Sequence, residues 1–552
     1  MAVAKPRAIL LPLPVQPGGM ISPDNSRGPQ MQSLMSRRLK AAALALPLVF
    51  GGMAVVSIPV LHAQESVSAA VDVDALLSRL PPDATVTINS RSIDAATGWT
   101  VLEGVTVTSR SDPSARLTAN RIVLGGVDLD AFEAIFRPER YGATADETFR
   151  KLMWGFTIEG LSVMEGTKEI FRAGSLEFGG LEMKQFAFKP RGEDDAAYEA
   201  QFGPNGNSEL QMLGTVLDST RIGEIRIRDL KFFEAGEGTE MTIGSLDFAG
   251  YDRGRVGAVS YANVSSSMSN PALGETITTA VESASSDGAD FAAALPFMIQ
   301  GVVPPMTAEP MLWVGAGVVN NVAYNLGAMG NVVINEIRND AITFAWFIPT
   351  SLRFVMDGVY TPGGASAADL QPLLSRIGQN NLPFAMELVW SYDPNTGTAA
   401  LSPLMLKAGG LLGATFNIEV GGLPMSMLSQ GDLETAWMGA MTFNSASLAI
   451  ADDGNFATLI DFMAEQDGIT GAQAREQAKM GLAMVMMEAG LQGDPRGDAI
   501  VSAFSAFLDD PGTLTVALNP PAPVFMMMMM MGMNDPRTAI EQLGLTVTHQ
   551  AD

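Results

Sequence analysis

Methionines are the residues of this chain best suited to metal chemistry, and six of them stand in one run. The segment PAPVFMMMMMMGMNDP has methionine at every position from Met526 to Met531. Thioether sulfur is a soft ligand that suits Cu(I), but methionine is also a flexible apolar side chain that fills protein cores. The 29 methionines after Ala63 show no convergent ligand spacing. We therefore predict that residues 525–531 form two helical turns buried nearly all round, and that Pro536 begins the next helix.

Histidine and cysteine, the usual residues of acid–base and nucleophilic catalysis, are almost absent. The chain has no cysteine and two histidines, His62 in the N-terminal leader and His549 three residues from the C-terminus. Catalysis by His549 would depend on a chain end, where the backbone frays. Residues 364–368, Gly-Ala-Ser-Ala-Ala, resemble a relaxed nucleophile elbow. We interpret them as a glycine-rich turn followed by a helix N-cap, without the strand–turn–helix context of a hydrolase.

Carboxylates are the remaining candidates for catalysis or metal binding, since 60 residues are Asp or Glu. Paired carboxylates can hydrolyse glycosides, but only 7% of the chain is aromatic and no pair can be selected from the sequence. The loop from Asp393 to Gly397 has part of the oxygen spacing of a calcium site, but its twelfth position is Leu404. We interpret this loop as a hairpin turn. Gly315-Ala316-Gly317 lacks the third glycine of a dinucleotide loop, so we predict no metal, no cofactor and no catalytic residue.

Basic residues are concentrated in the leader. Residues 1–63 contain six of the 34 basic residues and one of the 60 acidic ones, which leaves 28 basic and 59 acidic residues and a formal charge of −31 for the rest. Such acidity repels phosphate backbones, so we predict no nucleic-acid partner. Without cysteine, burial alone must hold the fold.

The leader has the layout of a secretory signal peptide. Arg37, Arg38 and Lys40 precede a long apolar run that ends in Leu-His-Ala, which predicts cleavage after Ala63 and export to the periplasm. The true start is then Met31 or Met35. The alternative is an uncleaved inner-membrane anchor, because the apolar run from Ala41 to Leu61 could just span a bilayer. In that case the anchor would be the chain's membrane contact.

Residues 64–257 are predicted to form repeated β-hairpins. Apolar side chains alternate along short segments broken by Gly, Asn and Asp, which is typical of strands with one buried face. Two copies read FTIEGLSVMEGTKEIFRAGSLEFGGLE (156–182) and IRIRDLKFFEAGEGTEMTIGSLDFAGYD (225–252), and a looser copy covers 99–128. A hairpin cannot bury its face alone, so the copies should stack edge to edge with helices over one side. Helical links are predicted at 130–142, 145–155 and 208–220, the first of them ended by Pro138.

The rest of the chain divides into three regions. Residues 258–330 are Ser/Ala-rich with helical spacing from Ile277 to Val281, which predicts a partly helical connector. Strand patterns return in residues 331–450. Residues 451–552 predict a helical pair, a further helix, the Met-rich segment and final strands. The fold class is therefore α+β, mainly antiparallel β: an extended sheet of repeated hairpins with peripheral helices and a helical C-terminal segment.

The second helix of the C-terminal pair has a candidate N-cap. Thr470 is a good N-cap for AQAREQAKMGLAMVMMEAG, and Met480, Met484 and Met487 share one face of that helix.

The chain resembles AsmA-like envelope proteins and related β-rich periplasmic proteins of Gram-negative bacteria in three features. These are the leader, strand starts of the form GVxV or GLxV, and strand ends reading LGGVD or FGGLE. The resemblance covers residues 90–260 and again 380–450, and it matches no functional residue one by one. It implies a long β-sheet curled into an apolar groove that carries or contacts lipids between membranes. The helical pair and the Met-rich tail depart from this pattern.

These features predict a non-enzymatic exported envelope protein that binds lipid or another apolar ligand in a β-sheet groove. The alternative is a structural or scaffold protein that binds other envelope proteins through its sheet edges. A carboxylate-based hydrolase, the third possibility, requires two carboxyls that face each other across a cleft. An open apolar channel in the sheet would favour the ligand-binding protein, and a filled core would favour the scaffold protein.

Overall fold

The computed structural model describes residues 70–78, 83–112, 114–136, 147–185, 208–233, 240–270, 275–430, 439–532 and 536–551. The predicted signal peptide, its cleavage after Ala63, the anchor alternative and Pro138 all lie outside these residues. Within the described ranges, no helix is both long and apolar enough to cross a membrane.

Antiparallel strands dominate the fold, which confirms the predicted class. The strands are β1 (Ala84–Thr87), β2 (Ser90–Ile93), β3 (Thr100–Ser109), β4 (Ala115–Leu124), β5 (Arg150–Met153), β6 (Phe156–Glu165), β7 (Lys168–Phe178), β8 (Leu181–Met183), β9 (Thr220–Ile222), β10 (Ile225–Phe233), β11 (Glu240–Phe248), β12 (Tyr251–Asp252), β13 (Arg255–Val256), β14 (Val259–Asn270), β15 (Glu275–Ser286), β16 (Ala289–Asp290), β17 (Trp313–Val314), β18 (Gly317–Asn325), β19 (Gly330–Asn339), β20 (Thr343–Ala345), β21 (Ile348–Pro362), β22 (Leu382–Asp393), β23 (Thr398–Ala408), β24 (Leu412–Gly421), β25 (Thr442–Asp452), β26 (Gly512–Leu518), β27 (Val524–Phe525) and β28 (Leu545–Ala551). Twenty-one of them form one long sheet and seven short ones form a second sheet.

The helices are α1 (Val73–Leu77), α2 (Leu129–Phe136), α3 (Ser208–Asp218), α4 (Leu295–Gln300), α5 (Gly364–Arg376), α6 (Met425–Gln430), α7 (Phe456–Gln466), α8 (Gly471–Glu488), α9 (Pro495–Asp509), α10 (Met526–Gly532) and α11 (Pro536–Leu543). Helices α2 and α3 confirm two of the predicted links. The third prediction, at 145–155, is wrong, because residues 150–153 form β5 and pair with β8. The short pattern there suits a helix locally, but pairing in the sheet overrides that preference.

Strands of the long sheet pair mainly with their neighbours in sequence. The antiparallel order is β3–β4–β6–β7–β10–β11–β14–β15–β18–β19–β21–β22–β23–β24–β25–β26–β28, and β1 and β2 both pair with β3. The predicted edge-to-edge stacking of hairpins is thus confirmed. The helical connector predicted at 258–330 is largely wrong, since β14, β15 and β18 lie there. Thr276, Thr278, Thr279 and Val281 are β-branched, which favours a strand once neighbours are available on both sides.

Glycine-containing corners join the two sheets. Each strand of the second sheet (β5, β8, β9, β12, β13, β16 and β17) is separated by two residues from a strand of the long sheet. Gly250 illustrates the requirement: its φ is +111°, and a Cβ there would lie 2.6 Å from the carbonyl oxygen of Ile222. The corners explain the sequence pattern at strand ends. They are Trp154-Gly155, Gly179-Gly180, Gly223-Glu224, Ala249-Gly250, Gly257-Ala258, Asp287-Gly288 and Gly315-Ala316.

A second irregularity crosses the long sheet in mid-strand. Residues with left-handed backbone, φ between +49° and +63°, occur in alternate strands at Gly104, Gly160, Asp229, Asn263 and Asn321. Gly, Asn and Asp are the residues that adopt this conformation most readily. The kink shifts the alternation of faces by one residue, so Ile158 and Leu161, three apart, are both buried. This kink row is what the GVxV and GLxV starts encode.

One packed core lies at the N-terminal end of the long sheet, and a second is formed by Tyr392, Ala399 and Leu423 beside β22 and β23. Leu152 of β5 and Ile135 of α2 are almost fully buried, together with side chains from β3, β4 and β6. Full burial of such a side chain contributes about 1.5–3 kcal/mol. Strand β11, by contrast, has no buried residue along its length. The sheet is therefore sealed at this end and more open toward its middle.

Candidate functional site

One face of the long sheet bears a continuous apolar row. Directly paired residues of antiparallel strands point to the same face, so the strand register can be followed across the sheet. The apolar row consists of Leu102, Ile122, Ile158, Leu176, Ile227, Leu246, Tyr261, Ala284, Val319, Ile337, Met356, Met386, Leu406, Ala414, Ile450 and Leu514, and it ends at His549 on β28. We call the face that carries it the apolar face.

A parallel row widens the apolar face in the C-terminal half. Its members lie two residues from those of the apolar row on the same strands: Phe354, Leu388, Leu404, Phe416, Leu448, Val516 and Val547. The opposite face is more polar there. Arg353 Nε lies 2.8 Å from Glu387 Oε1, and Asn417 Nδ2 donates to Ser447 Oγ at 3.0 Å. The two faces of this part of the sheet thus differ in chemistry.

The apolar row contains buried residues near its ends and is mostly half-buried or exposed between them, with Ala284 as a buried exception. Ile158 and Leu514 are buried, whereas Met356 and Met386 are half-buried and Leu406 is 50% exposed. Strand β22 has half-buried residues on both faces from Leu382 to Trp390, so neither face of that strand is fully sealed. Large exposed apolar patches on folded proteins mark sites of interaction.

A cavity of about 700 Å³ lies on the second sheet. Trp313, Met311 and Val256 line its apolar side, and Arg255 and Asp290 supply charge, with 3.2 Å between Arg255 Nε and Asp290 Oδ2. The volume is within the range of small-molecule sites. Strands β13, β16 and β17 carry all of these residues except Met311, and glycine corners connect them to β14, β15 and β18.

The methionine run forms a helix, as predicted, but it is not buried all round. Met526 is 8% exposed, whereas Met527 and Met528 are 43% and 51% exposed. Helix α10 follows the short strand β27 at the sheet border, and the Met526 N–H donates to the Met441 carbonyl at 3.1 Å. A helix beside a sheet buries one stripe only, so identical residues take different environments. Helix α11 begins at Pro536, as predicted.

The predicted cap of α8 is confirmed. Thr470 Oγ1 accepts from the Gln473 N–H at 3.2 Å, and the Gln473 side chain accepts from the Thr470 N–H at 2.8 Å, which is a capping box. Met480, Met484 and Met487 lie on this helix with the predicted spacing. All three are exposed rather than part of a core.

Ser366 has the strand–turn–helix context that the sequence did not reveal. Strand β21 ends at Pro362 and α5 begins at Gly364, so that part of the interpretation was wrong. Ser366 is also not the N-cap, which is Gly363. The Ser366 hydroxyl lies 2.8 Å from the Tyr360 hydroxyl and 2.9 Å from the Met329 carbonyl. These bonds fix the start of α5. A serine nucleophile would need a histidine as its base, and His549, the histidine within the described residues, lies on β28.

The carboxylates are held by structural hydrogen bonds. In the loop predicted as a turn, Asp393 accepts from the Asn395 N–H at 2.9 Å and from the Thr396 hydroxyl at 2.9 Å, which lowers its pKa. Within the described parts of the chain, every carboxyl whose pKa clearly departs from its ordinary value is shifted downward: Asp83, Asp94, Glu169, Asp218, Asp393, Asp453, Glu465 and Asp494. A glycosidase general acid requires a raised pKa. Among the described residues, no group of three or more His, Asp or Glu is arranged to hold a metal ion.

An ion cluster around the buried Lys184, which no sequence pattern indicated, ties α3 to the second sheet. Lys184 Nζ lies 2.6 Å from Asp218 Oδ2 and 2.6 Å from Glu147 Oε2, and Arg253 Nη2 lies 2.7 Å from Asp218 Oδ1. Arg221 stacks over the Phe149 ring at 3.9 Å. The cluster satisfies its own charges, so it serves packing rather than ligand binding.

Comparisons with known proteins add little about activity. A family model described only as an uncharacterized protein matches residues 405–550. No curated protein and no solved structure matches the chain. The matched region runs from within β23 to β28 and includes helices α6 to α11. The resemblance to AsmA-like proteins stays a prediction.

Proposed function

We propose that this protein is a non-enzymatic binder of lipid or another apolar ligand, which lies against the open middle of the apolar face. The observation that supports this most strongly is the apolar row between Leu246 and Ala414, where cross-strand neighbours are apolar and mostly half-buried or exposed. A hydrocarbon chain laid across these strands would remove apolar surface from water on both partners, at about 25 cal/mol per Å². A lipid suits this face because its hydrocarbon chain is long and the apolar row extends across many strands.

The cavity on the second sheet offers a place for a polar group of such a ligand. It lies across the glycine corners from β14, β15 and β18, which contribute Tyr261, Ala284 and Val319 to the apolar row. Arg255 and Asp290 at this cavity can hydrogen-bond a polar or zwitterionic group while Trp313 contacts an apolar part. Export by the N-terminal leader to the periplasm belongs to the same proposal, since an envelope protein there meets membrane lipids.

The proposal is tested with a pair of variants on one strand. Met386 belongs to the apolar row, and Ala385, its neighbour on β22, points to the opposite face beside Asp357 and Lys407. Natively purified protein should contain co-purifying lipid by mass spectrometry, and delipidated protein should take up a fluorescent fatty acid. Met386→Glu should lower that uptake at least about tenfold, because a carboxylate would be buried by the acyl chain. Ala385→Glu should leave it unchanged.

Two results contradict the proposal. Absence of lipid and of fatty-acid uptake in the unaltered protein would remove lipid as the ligand. Equal uptake by Met386→Glu and Ala385→Glu would show that the apolar face is not the site.

A scaffold role is the second candidate, and β28 is the observation that favours it. This strand pairs with β26 along its seven residues, and no other strand pairs with it among the described residues. Its sequence LTVTHQA lacks the Pro and Lys that commonly protect sheet edges. Envelope proteins that co-purify with the unaltered chain and are lost from a Thr548→Pro variant would support edge pairing. Partners retained by that variant would contradict it.

A further inference from the structure

Helix α8 exposes a methionine face that the proposed lipid site does not use. Met480, Met484 and Met487 are spaced i, i+4 and i+7, so they share one side of the helix. Their exposed fractions are 59%, 57% and 53%. Between Met480 and Met487 the helix carries no charged residue. An apolar patch of this kind, left open to water, marks an interaction surface.

A cavity of about 300 Å³ adjoins this face between α8 and α9. Ala483 and Met486 of α8 line it, together with Asp498 and Val501 of α9. Ala483 lies three residues after Met480 and four before Met487, the spacings at which side chains are neighbours on a helix surface, so the cavity and the exposed face are adjacent on α8. The cavity is at the lower end of ligand-site volumes, and it suits one anchoring side chain of a partner better than a long acyl chain.

Charge indicates the kind of partner. Asp498 lines the cavity, and Glu488, the last residue of α8, is exposed. The chain after Ala63 has a formal charge of −31. Lys479, which precedes Met480 on α8, is paired with Asp509 at 2.6 Å and with Glu476 at 2.9 Å, so it adds no net positive charge. The carboxylates of this surface therefore favour a basic protein segment over an anionic membrane.

We propose that the α8–α9 groove, made of Met480, Ala483, Met484, Met486, Met487 and Val501, binds a basic amphipathic helix of a partner protein. Apolar side chains of that helix cover the methionine face, and one of them enters the cavity. Its lysines and arginines lie near Glu488 and Asp498. Methionine suits this role because its unbranched thioether side chain adapts to different partner shapes. This surface is independent of lipid binding by the sheet.

The experiment uses the full chain and a fluorescein-labelled helical peptide of about 18 residues, with Leu at i, i+3, i+4 and i+7 and Lys elsewhere. Fluorescence anisotropy should give a Kd in the micromolar range that rises with salt. The triple variant Met480→Gln, Met484→Gln, Met487→Gln should weaken binding at least about tenfold. Val485→Gln, an exposed apolar residue one position off the shared face, should leave the Kd within about twofold.

Circular dichroism and a thermal melt establish that the triple variant is folded, as expected for changes at exposed positions. The proposal is overturned if the triple variant binds the peptide as well as the unaltered chain does. It is also overturned if a peptide with Glu in place of Lys binds equally well. Binding of phosphatidylcholine–phosphatidylglycerol vesicles that the triple variant alone abolishes would assign the face to a membrane instead.

Discussion

Lys184 Nζ lies 2.6 Å from Asp218 Oδ2, although the Lys184 side chain is only 5% exposed. Burial opposes ionisation of Asp218, but hydrogen bonds from Lys184 and Arg253 outweigh it and lower the pKa of the carboxyl. The pair joins the end of β8 to the last residue of α3. Helix α3, which lies between β8 and β9 of the second sheet, is thus held in place by a largely buried charge pair.

Asp218→Asn should destabilise the protein by about 3 kcal/mol, because it leaves the Lys184 ammonium buried with a weaker set of partners. Urea unfolding at pH 7 measures the change. Asp252→Asn is the matched control, since Asp252 pairs with Arg221 at 2.8 Å on the surface and should cost less than about 1 kcal/mol. Equal losses in the two variants would contradict the importance of burial.

The same pair should make stability depend on acid. Because the folded-state pKa of Asp218 is lowered, its contribution is fully present above the unfolded-state pKa of about 3.9 and is lost as the pH falls through the lower folded-state value. The free energy of unfolding of the unaltered chain should therefore fall more steeply below about pH 4 than that of Asp218→Asn. Urea titrations at several pH values test this. Parallel curves for the two proteins would refute the linkage.

Gly250→Ala should cost at least about 2 kcal/mol, because the residue has a φ of +111° and its Cβ would lie 2.6 Å from the Ile222 carbonyl oxygen. Gly481→Ala is the control. Gly481 is inside α8, and a Cβ there would meet no atom within 4 Å. That variant should stabilise the helix by about 0.5–1 kcal/mol. Thermal or urea unfolding measures the stability of both variants. A change of stability in the same direction for both would contradict the role of the corner.

Met526→Ala should destabilise the protein by about 2–3 kcal/mol, since the Met526 side chain is buried and its truncation leaves a cavity. Met528→Ala, two residues later and exposed, should change stability by less than about 0.5 kcal/mol. Urea unfolding compares them. Similar losses at both positions would mean that the run is buried on more than one side.

Features that depend on neighbouring residues in sequence could be predicted well. The hairpins at 156–182 and 225–252 follow from period-two alternation, and the cap at Thr470 follows from side-chain chemistry. The glycines in FGGLE were visible, but their role at a sheet corner was not, because it depends on a second sheet formed by distant strands. The strands at 259–286 were missed because Ser, Thr and Ala give little apolar periodicity, and pairing on both sides decides their conformation.

The sequence could predict that the candidate site is an apolar surface on a sheet, but not which residues form it. Alternation indicates that each strand has an apolar side, but the apolar row exists because the register aligns residues such as Tyr261, Ala284 and Val319, which no local pattern specifies. Lys184 and Asp218 are far apart in sequence and gave no signal. In the methionine run, residue identity is constant, so only tertiary packing could distinguish Met526 from Met528.

Pairing between sequence neighbours has a consequence for how such a protein can evolve. A hairpin such as residues 156–178 contacts the preceding and following strands through the same kind of edge, so duplication of a whole hairpin can be inserted without altering the register elsewhere. Each insertion widens the sheet by about 10 Å, the spacing of two strands. The length of the apolar row is then adjustable by copy number, independently of the chemistry of any one residue.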